Sequence, residues 1–250
     1  MRELTASRAI RGLLVFQLAA GAALVAADIT GSFRGFAWPG RTDAPAFDAP
    51  VRPGDQRRRY DPARLPALPG EPGQRQARPS GDFPTRLVFR QDGDRIIAEG
   101  EIEPGDAARF RDFLDGRDVS EVVLNSPGGS VGDALDIGRR IRDAGVATRM
   151  EPGAVCLSAC PYVFAGGTKR IAPDNAMLGV HQHYFGESTV LPAFMAVEDV
   201  QRGQGMVMAH LDAMGVDPLL MQHSLTTPPE EIYVLLPEEL DRYALRTAAE

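Results

Sequence analysis

Ala154-Val-Cys-Leu-Ser-Ala-Cys-Pro-Tyr162 decides how this 250-residue chain is read. A short apolar run stops at Ser158, and a helical pattern starts directly after it over residues 159–164, ending at Gly166-Gly167. A serine on the first turn of a helix commonly serves only as an N-cap. The same position suits a nucleophile, because the helix dipole and its free N–H groups favour developing negative charge. The amide of Ala159 is then a candidate oxyanion donor.

Upstream, residues 119–124 read as a buried strand running into Asn125-Ser-Pro-Gly-Gly-Ser130. Without a Cβ, Gly129 lets backbone N–H approach a ligand closely, which is half of an oxyanion hole, although Ser-Pro-Gly-Gly also suits any strand-to-helix turn. Downstream, the apolar run Ala176-Met-Leu-Gly-Val ends at His181. Glycines, serine and histidine in this order supply backbone donors, a hydroxyl nucleophile and an imidazole base, the parts of acyl-transfer chemistry.

The other histidines are weaker candidates. His183 shares a strand face with His181 by alternation, so it is a substitute base or half of a metal pair. His210 and His223 fall in amphipathic helical stretches with nothing nearby to complete a site. No third ligand cluster accompanies the histidines and both cysteines flank the serine, so no metal and no cofactor is expected.

Around this centre the chain alternates strand and helix signals. A hairpin is expected over 86–100 around Asp92-Gly93-Asp94, then helices over 106–114 and 131–142, strands near 147–150 and 177–180, and a long helix over 191–215. That order argues for an α/β domain with a largely parallel sheet. Residues 83–250 carry 15 basic against 26 acidic residues, a net of −11, which disfavours nucleic-acid binding.

The preceding part differs. Residues 1–82 hold 12 arginines against 8 acids. Arg2, Arg8 and Arg11 precede an apolar run over 12–27 closed by Val25-Ala26-Ala27, the pattern of an export signal or signal-anchor over residues 1–30. Ten of the 20 prolines lie between Pro39 and Pro84, together with Arg57-Arg58-Arg59, so residues 31–83 read as a disordered Pro/Arg-rich linker and 84–250 as the catalytic domain. Export places Cys156 and Cys160 in an oxidising compartment, where a disulfide across the serine turn competes with two buried thiols.

Leu124-Asn-Ser-Pro-Gly-Gly-Ser-Val, Cys156-Leu-Ser-Ala-Cys and Gly179-Val-His-Gln resemble, in order and spacing, the three active-site motifs of the Clp-type serine proteases, whose proteolytic subunit the chain is similar to from about residue 86 to 245. The bracketing cysteines depart from that pattern. The resemblance implies a Clp/crotonase-like fold of repeated strand-strand-helix units, Ser158 as nucleophile, His181 as base, and the amides of Gly129 and Ala159 as the oxyanion hole. Tyr233-Val-Leu-Leu-Pro-Glu resembles the family's C-terminal stretch and thereby makes Glu231 the acid, with Glu230 its rival and glutamate standing where the family has aspartate. It also implies a peptide or protein substrate and a homo-oligomer.

The expectation is a serine endopeptidase of the periplasm or cell envelope, exported or attached to the membrane through its N-terminus. It has no Gly-Lys-Ser/Thr phosphate loop, hence no ATP site in this chain. The alternatives are a catalytically silent Clp-like peptide-binding or scaffold protein, a crotonase-like enzyme on acyl-CoA thioesters, and a Ser158–Lys169 dyad in place of Ser158–His181.

Overall fold

The computed structural model describes residues 6–29, 47, 51–62, 83–183 and 193–247. Two compact units divide the chain at Asp43 and Ala44. The first contains helix α1 (Ala6–Ile29), whose Leu13, Leu14, Phe16 and Leu18 are exposed. Among the described residues no helix is long and apolar enough to cross a membrane.

The second unit is mixed α/β, with two sheets. One has the order β2-β3-β4-β5-β7 (Val88–Asp92, Arg95–Glu99, Glu121–Asn125, Ala147–Arg149, Arg170–Ile171). Gly93 closes the β2–β3 hairpin at φ +63°, a conformation glycine adopts without a steric penalty. The remaining pairings in this sheet are parallel. Helix α2 (Asp106–Leu114) crosses from β3 to β4, and α3 (Val131–Asp143) from β4 to β5. Residues 121–124 of β4 are buried on both faces, as a central strand with covered faces requires.

The α3 helix is held at both ends. The Ser130 hydroxyl accepts from the Asp133 amide at its N-terminus, and Arg140 and Arg142 occupy its last turn. Asp133 Oδ1 also accepts from the Gly105 and Ala107 amides, which ties the start of α2 to the start of α3. The Arg142 guanidinium donates to the carbonyls of Ala165, Gly166, Gly167 and Met214, capping the C-terminal end of α4 (Cys160–Ala165).

The second sheet has the order β1-β9-β8-β6 (Arg57–Arg59, Glu231–Val234, Met177–Val180, Val155–Leu157). Only β6–β8 is parallel in it, so the expectation of a largely parallel sheet fits the first sheet and not the second. Of its antiparallel strands, β9 alternates half-buried and buried residues whereas β1 shows no apolar alternation at all. In β1 all three residues are arginine, and its pairing rests on main-chain hydrogen bonds.

That strand also corrects the reading of 31–83 as a uniformly disordered linker. Residues 51–62 belong to the second unit, with Arg58 fully buried opposite Ile232. Phe47, Val51 and Tyr60 cover a small apolar cluster of Val155, Leu157, Ile232 and Val234. The main core, from Ile96 and Phe110 to Tyr162 and Leu178, lies beneath the helices.

The expected long helix is α5 (Ala193–Ala213), and the two residues expected before it lie outside the described residues. Its Val207, His210 and Leu211 are buried. A turn of 3-10 helix (Pro218–Leu220), α6 (Met221–Thr226) and, after β9, α7 (Pro237–Arg242) complete the unit.

Helices α3 and α4 approach through glycine. A Cβ on Gly138 would stand 2.5 Å from the Tyr162 carbonyl oxygen and 3.0 Å from the His210 ring. Gly138→Ala is therefore expected to destabilise the fold by about 1–3 kcal/mol through overpacking, read as a lower urea midpoint at unchanged slope. An unchanged midpoint would show that the two helices can separate without cost.

Candidate active site

Three strand ends build the site. In the parallel pair β6–β8, Leu157 stands opposite Gly179, so the residues that leave the two strands, Ser158 and His181, emerge at one sheet edge. The Ser158 amide donates to the Gly179 carbonyl oxygen at 2.9 Å and fixes the exit of the serine turn. The third end is that of β4. Beyond it Ser126 bridges Cys156 in parallel fashion, with Ser126 N–H on Val155 O (2.8 Å) and Leu157 N–H on Ser126 O (3.1 Å). The glycine loop that follows Ser126 is thereby delivered to Ser158. Loops past the carboxyl ends of neighbouring parallel strands are where open α/β sheets place ligands.

Ser158 has φ +59°, a left-handed conformation that side chains rarely adopt and that marks strained, functional turns. A disulfide joins Cys156, in β6, to Cys160, the first residue of α4, with Cα atoms 5.1 Å apart. The bond spans the strained turn and restricts its relaxation. The first cysteine lies in a strand, which allows an i,i+4 pair to meet at that separation.

His181 is 5% exposed. Its Nε2 lies 2.7 Å from Ser158 Oγ and its Nδ1 lies 2.9 Å from the Pro229 carbonyl oxygen. A carbonyl can only accept, so Nδ1 carries the proton of the neutral ring and Nε2 presents its lone pair to the serine hydroxyl. That is the tautomer a general base requires. The Ser224 hydroxyl donates to the His181 carbonyl oxygen at 2.6 Å and anchors the main chain there. Burial lowers the His181 pKa, while the Pro229 carbonyl, the Glu231 main chain and the charge of exposed Glu230 push it back up. The ring is neutral, and able to accept a proton, at neutral pH.

This geometry corrects the assignment of Glu231 as triad acid. The position on Nδ1 is filled by a main-chain carbonyl, and the Glu231 carboxylate lies 3.7 Å from the Arg57 guanidinium. Glu231 opens β9 opposite Arg59, its N–H donates to Pro228 O at 3.0 Å, and it reaches His181 through its main chain and not through its carboxylate. Glu230 acts on His181 only through its charge.

The glycines divide the work. A Cβ on Gly128 would lie 2.5 Å from Ser158 Cβ and 3.0 Å from the Ala159 nitrogen, so this glycine is what allows the loop to touch the serine turn. At Gly129 the main chain bridges Ile102, which uses Gly128 O and Ser130 N–H and leaves the Gly129 N–H pointing the other way. Neither the Gly129 nor the Ala159 amide donates to an acceptor among the described residues.

The remaining candidates stand apart from the serine. Because β8 ends at Val180, strand alternation does not govern His183, whose Nε2 lies 2.8 Å from the Tyr162 hydroxyl. Burial, and then the neighbouring His181, lower its pKa to about 4. His210 Nε2 bonds the Tyr162 carbonyl oxygen at 3.0 Å inside the core. Exposed Lys169 follows the C-terminal end of α4, whereas Ser158 precedes its N-terminal end. Among the described residues no group of three or more His, Cys, Asp or Glu could hold a metal ion.

Two contributors had no usable sequence signal. Pro229 acts through its carbonyl, which every residue possesses. Tyr60 lies in the proline-rich stretch, yet its ring stands 4.8 Å from the His181 ring at 62° and its hydroxyl donates to Pro127 O at 2.5 Å. No family model and no curated protein matches the chain.

Glu231→Gln is expected to change the rate of Ser158 acylation by less than about threefold, because a carboxylate turned away from the ring acts through screened charge. A fall of a hundredfold would return Glu231 to the site. The histidines set a pH dependence of stability. Burial holds His181, His183, His210 and His223 below the 6.5 expected of an open ring. The unfolded chain therefore binds more protons below that pH. Stability should fall as pH drops through about 6.5, and continue to fall until His183 protonates in the folded state at about 4. Urea midpoints that stay constant between about pH 7 and pH 4.5 would contradict this linkage.

Proposed function

We propose that the chain is a serine-type peptide hydrolase of the Clp-like kind, with the Clp/crotonase-like arrangement of its α/β unit, acting in the cell envelope. The observation that carries this reading is the 2.7 Å contact of Ser158 Oγ with a His181 Nε2 whose tautomer is set from behind. Ser158 attacks the scissile carbonyl carbon while its proton passes to Nε2. The carbonyl oxygen becomes an oxyanion received by the amides of Gly129 and Ala159. His181 then returns the proton to the leaving amine, and water hydrolyses the acyl-enzyme by the same steps in reverse.

The Pro229 carbonyl stabilises the imidazolium less than a carboxylate would, with the charge of Glu230 adding a smaller, screened share. The reading therefore includes a slower acylation than a triad with a carboxylate on Nδ1. The disulfide and the N-terminal Arg-then-apolar pattern support export, with the apolar segment either cleaved or kept as an attachment. Hydrolysis of a peptide needs neither cofactor nor ATP in this chain, and self-association is part of the proposal.

A silent peptide-holding protein is the second reading, favoured by the absence of a carboxylate from Nδ1. Labelling with a fluorophosphonate separates the two. Wild-type protein should be labelled, Ser158→Ala should not, and His181→Ala should lose roughly 10⁴-fold or more in rate. His183→Ala should keep most of it. An unlabelled wild-type protein would favour the silent reading, and labelling that survives Ser158→Ala would remove Ser158 as nucleophile.

A further inference from the structure

We propose that Tyr60 is a positioning residue of the hydrolytic site, fixing the Pro127–Gly128 peptide through its hydroxyl and walling in His181 with its ring. The inference rests on the hydrolase reading above and extends it to a segment that precedes the catalytic domain as the sequence delimits it.

The placement of Tyr60 is built and does not depend on a loose side chain. Arg57, Arg58 and Arg59 pair with Tyr233, Ile232 and Glu231, and the Tyr60 amide carries the ladder one step further onto Glu230 O at 3.0 Å. Tyr60 therefore leaves the strand beside the Pro228-Pro229 turn, whose carbonyl holds His181 Nδ1. Its ring packs against the second apolar cluster on one side and the imidazole edge on the other. Burial raises the phenol pKa, so the hydroxyl stays protonated and remains a donor. The Ser158 side chain faces the same hydroxyl and offsets part of that rise.

The acceptor is the informative partner. Gly128 and Gly129 stand at φ +106° and +135°, so this loop has more main-chain freedom than any loop of larger residues. Three restraints oppose that freedom. Gly128 N–H donates to Ser126 Oγ at 3.1 Å, Ile102 bridges Gly128 O and Ser130 N–H, and Tyr60 holds Pro127 O. Of the three, only Tyr60 fixes the carbonyl of the peptide that leads into the glycines. Without it the Pro127–Gly128 peptide is held only at its N–H end, by Ser126 Oγ, and can tilt about that contact, which shifts the Gly129 N–H off an oxyanion. An oxyanion donor stabilises only if it is already aimed when the charge forms. The ring adds a second effect by covering the imidazole beside its Nδ1 hydrogen bond.

The test is Tyr60→Phe in the full chain, which keeps the ring and the fold and removes one hydroxyl. Turnover of a peptide p-nitrophenyl ester should show kcat reduced about tenfold with KM within about twofold, since the hydroxyl acts on a donor used only in the transition state. Thermal midpoint should fall by no more than the few degrees that one neutral hydrogen bond is worth, and the loss in kcat without a change in KM separates positioning from a purely structural role. An unchanged kcat would overturn the proposal. So would a raised kcat, which would make Tyr60 a plug over Ser158. Fluorophosphonate labelling of wild type and Ser158→Ala runs alongside. Wild-type protein that is never labelled at Ser158 removes the hydrolase reading and this proposal together, whereas a labelled wild type with an unaffected Tyr60→Phe removes this proposal alone.

Discussion

The parallel bridge between Ser126 and Cys156 joins the two sheets, and the candidate site follows from it. Ser126 gives its amide to Val155 and takes the amide of Leu157, so β4 of the first sheet and β6 of the second end at one edge. Helix α3 starts directly beyond the glycine loop, and α4 directly beyond Ser158. Both helices are then forced into close contact, which Gly138 and Gly166 permit because neither has a Cβ. The bridge therefore couples the position of the glycine loop to the packing of the main core. A shift of one sheet against the other would move the glycines off the serine.

A second constraint is the environment of His181. Its ring is buried, its base nitrogen faces Ser158, and its rear nitrogen is satisfied by a main-chain carbonyl. A carbonyl dipole selects the tautomer as well as a carboxylate does, because each only accepts. It differs in charge, and charge is what would stabilise the imidazolium during acyl transfer. Tautomer control and charge stabilisation are thus separated in this protein, the first by Pro229 and the second, weakly, by Glu230. The disulfide and the positive φ of Ser158 add stiffness on the serine side of the pair.

Legibility in the sequence followed the range of the interaction. The β2–β3 hairpin, α2, α3 and the buried strand β4 were readable because turn glycine, helical period and apolar runs act within a few residues. Strand β1 was not, since Arg57-Arg58-Arg59 shows no alternation and its pairing partners lie about 170 residues away in β9. Proline content in the surrounding stretch argued for solvated chain, and it is the edge of β9, a row of unpaired main-chain groups, that recruits the segment. Glu231 was placed by a C-terminal motif that resolves which residues are near His181 but not which of their groups faces it.

The sequence by itself determined the order of glycine pair, serine and histidine, the α/β character of the domain, and the position of two cysteines either side of the serine. Each is a local property, carried by glycine's missing Cβ, by helical and strand periodicity, and by the identities of the side chains. Only the tertiary structure decided that Ser158 and His181 face one another, that Pro229 and not Glu231 stands behind the imidazole, and that Tyr60 closes the group. Those contacts depend on strand register between β6, β8 and β9 and on an edge strand from outside the motifs. Apolar alternation says which face of a strand is buried, but the choice of partner strand is made through main-chain N–H and C=O groups that every residue shares, so a short strand such as Arg57-Arg58-Arg59 carries no record of its partner.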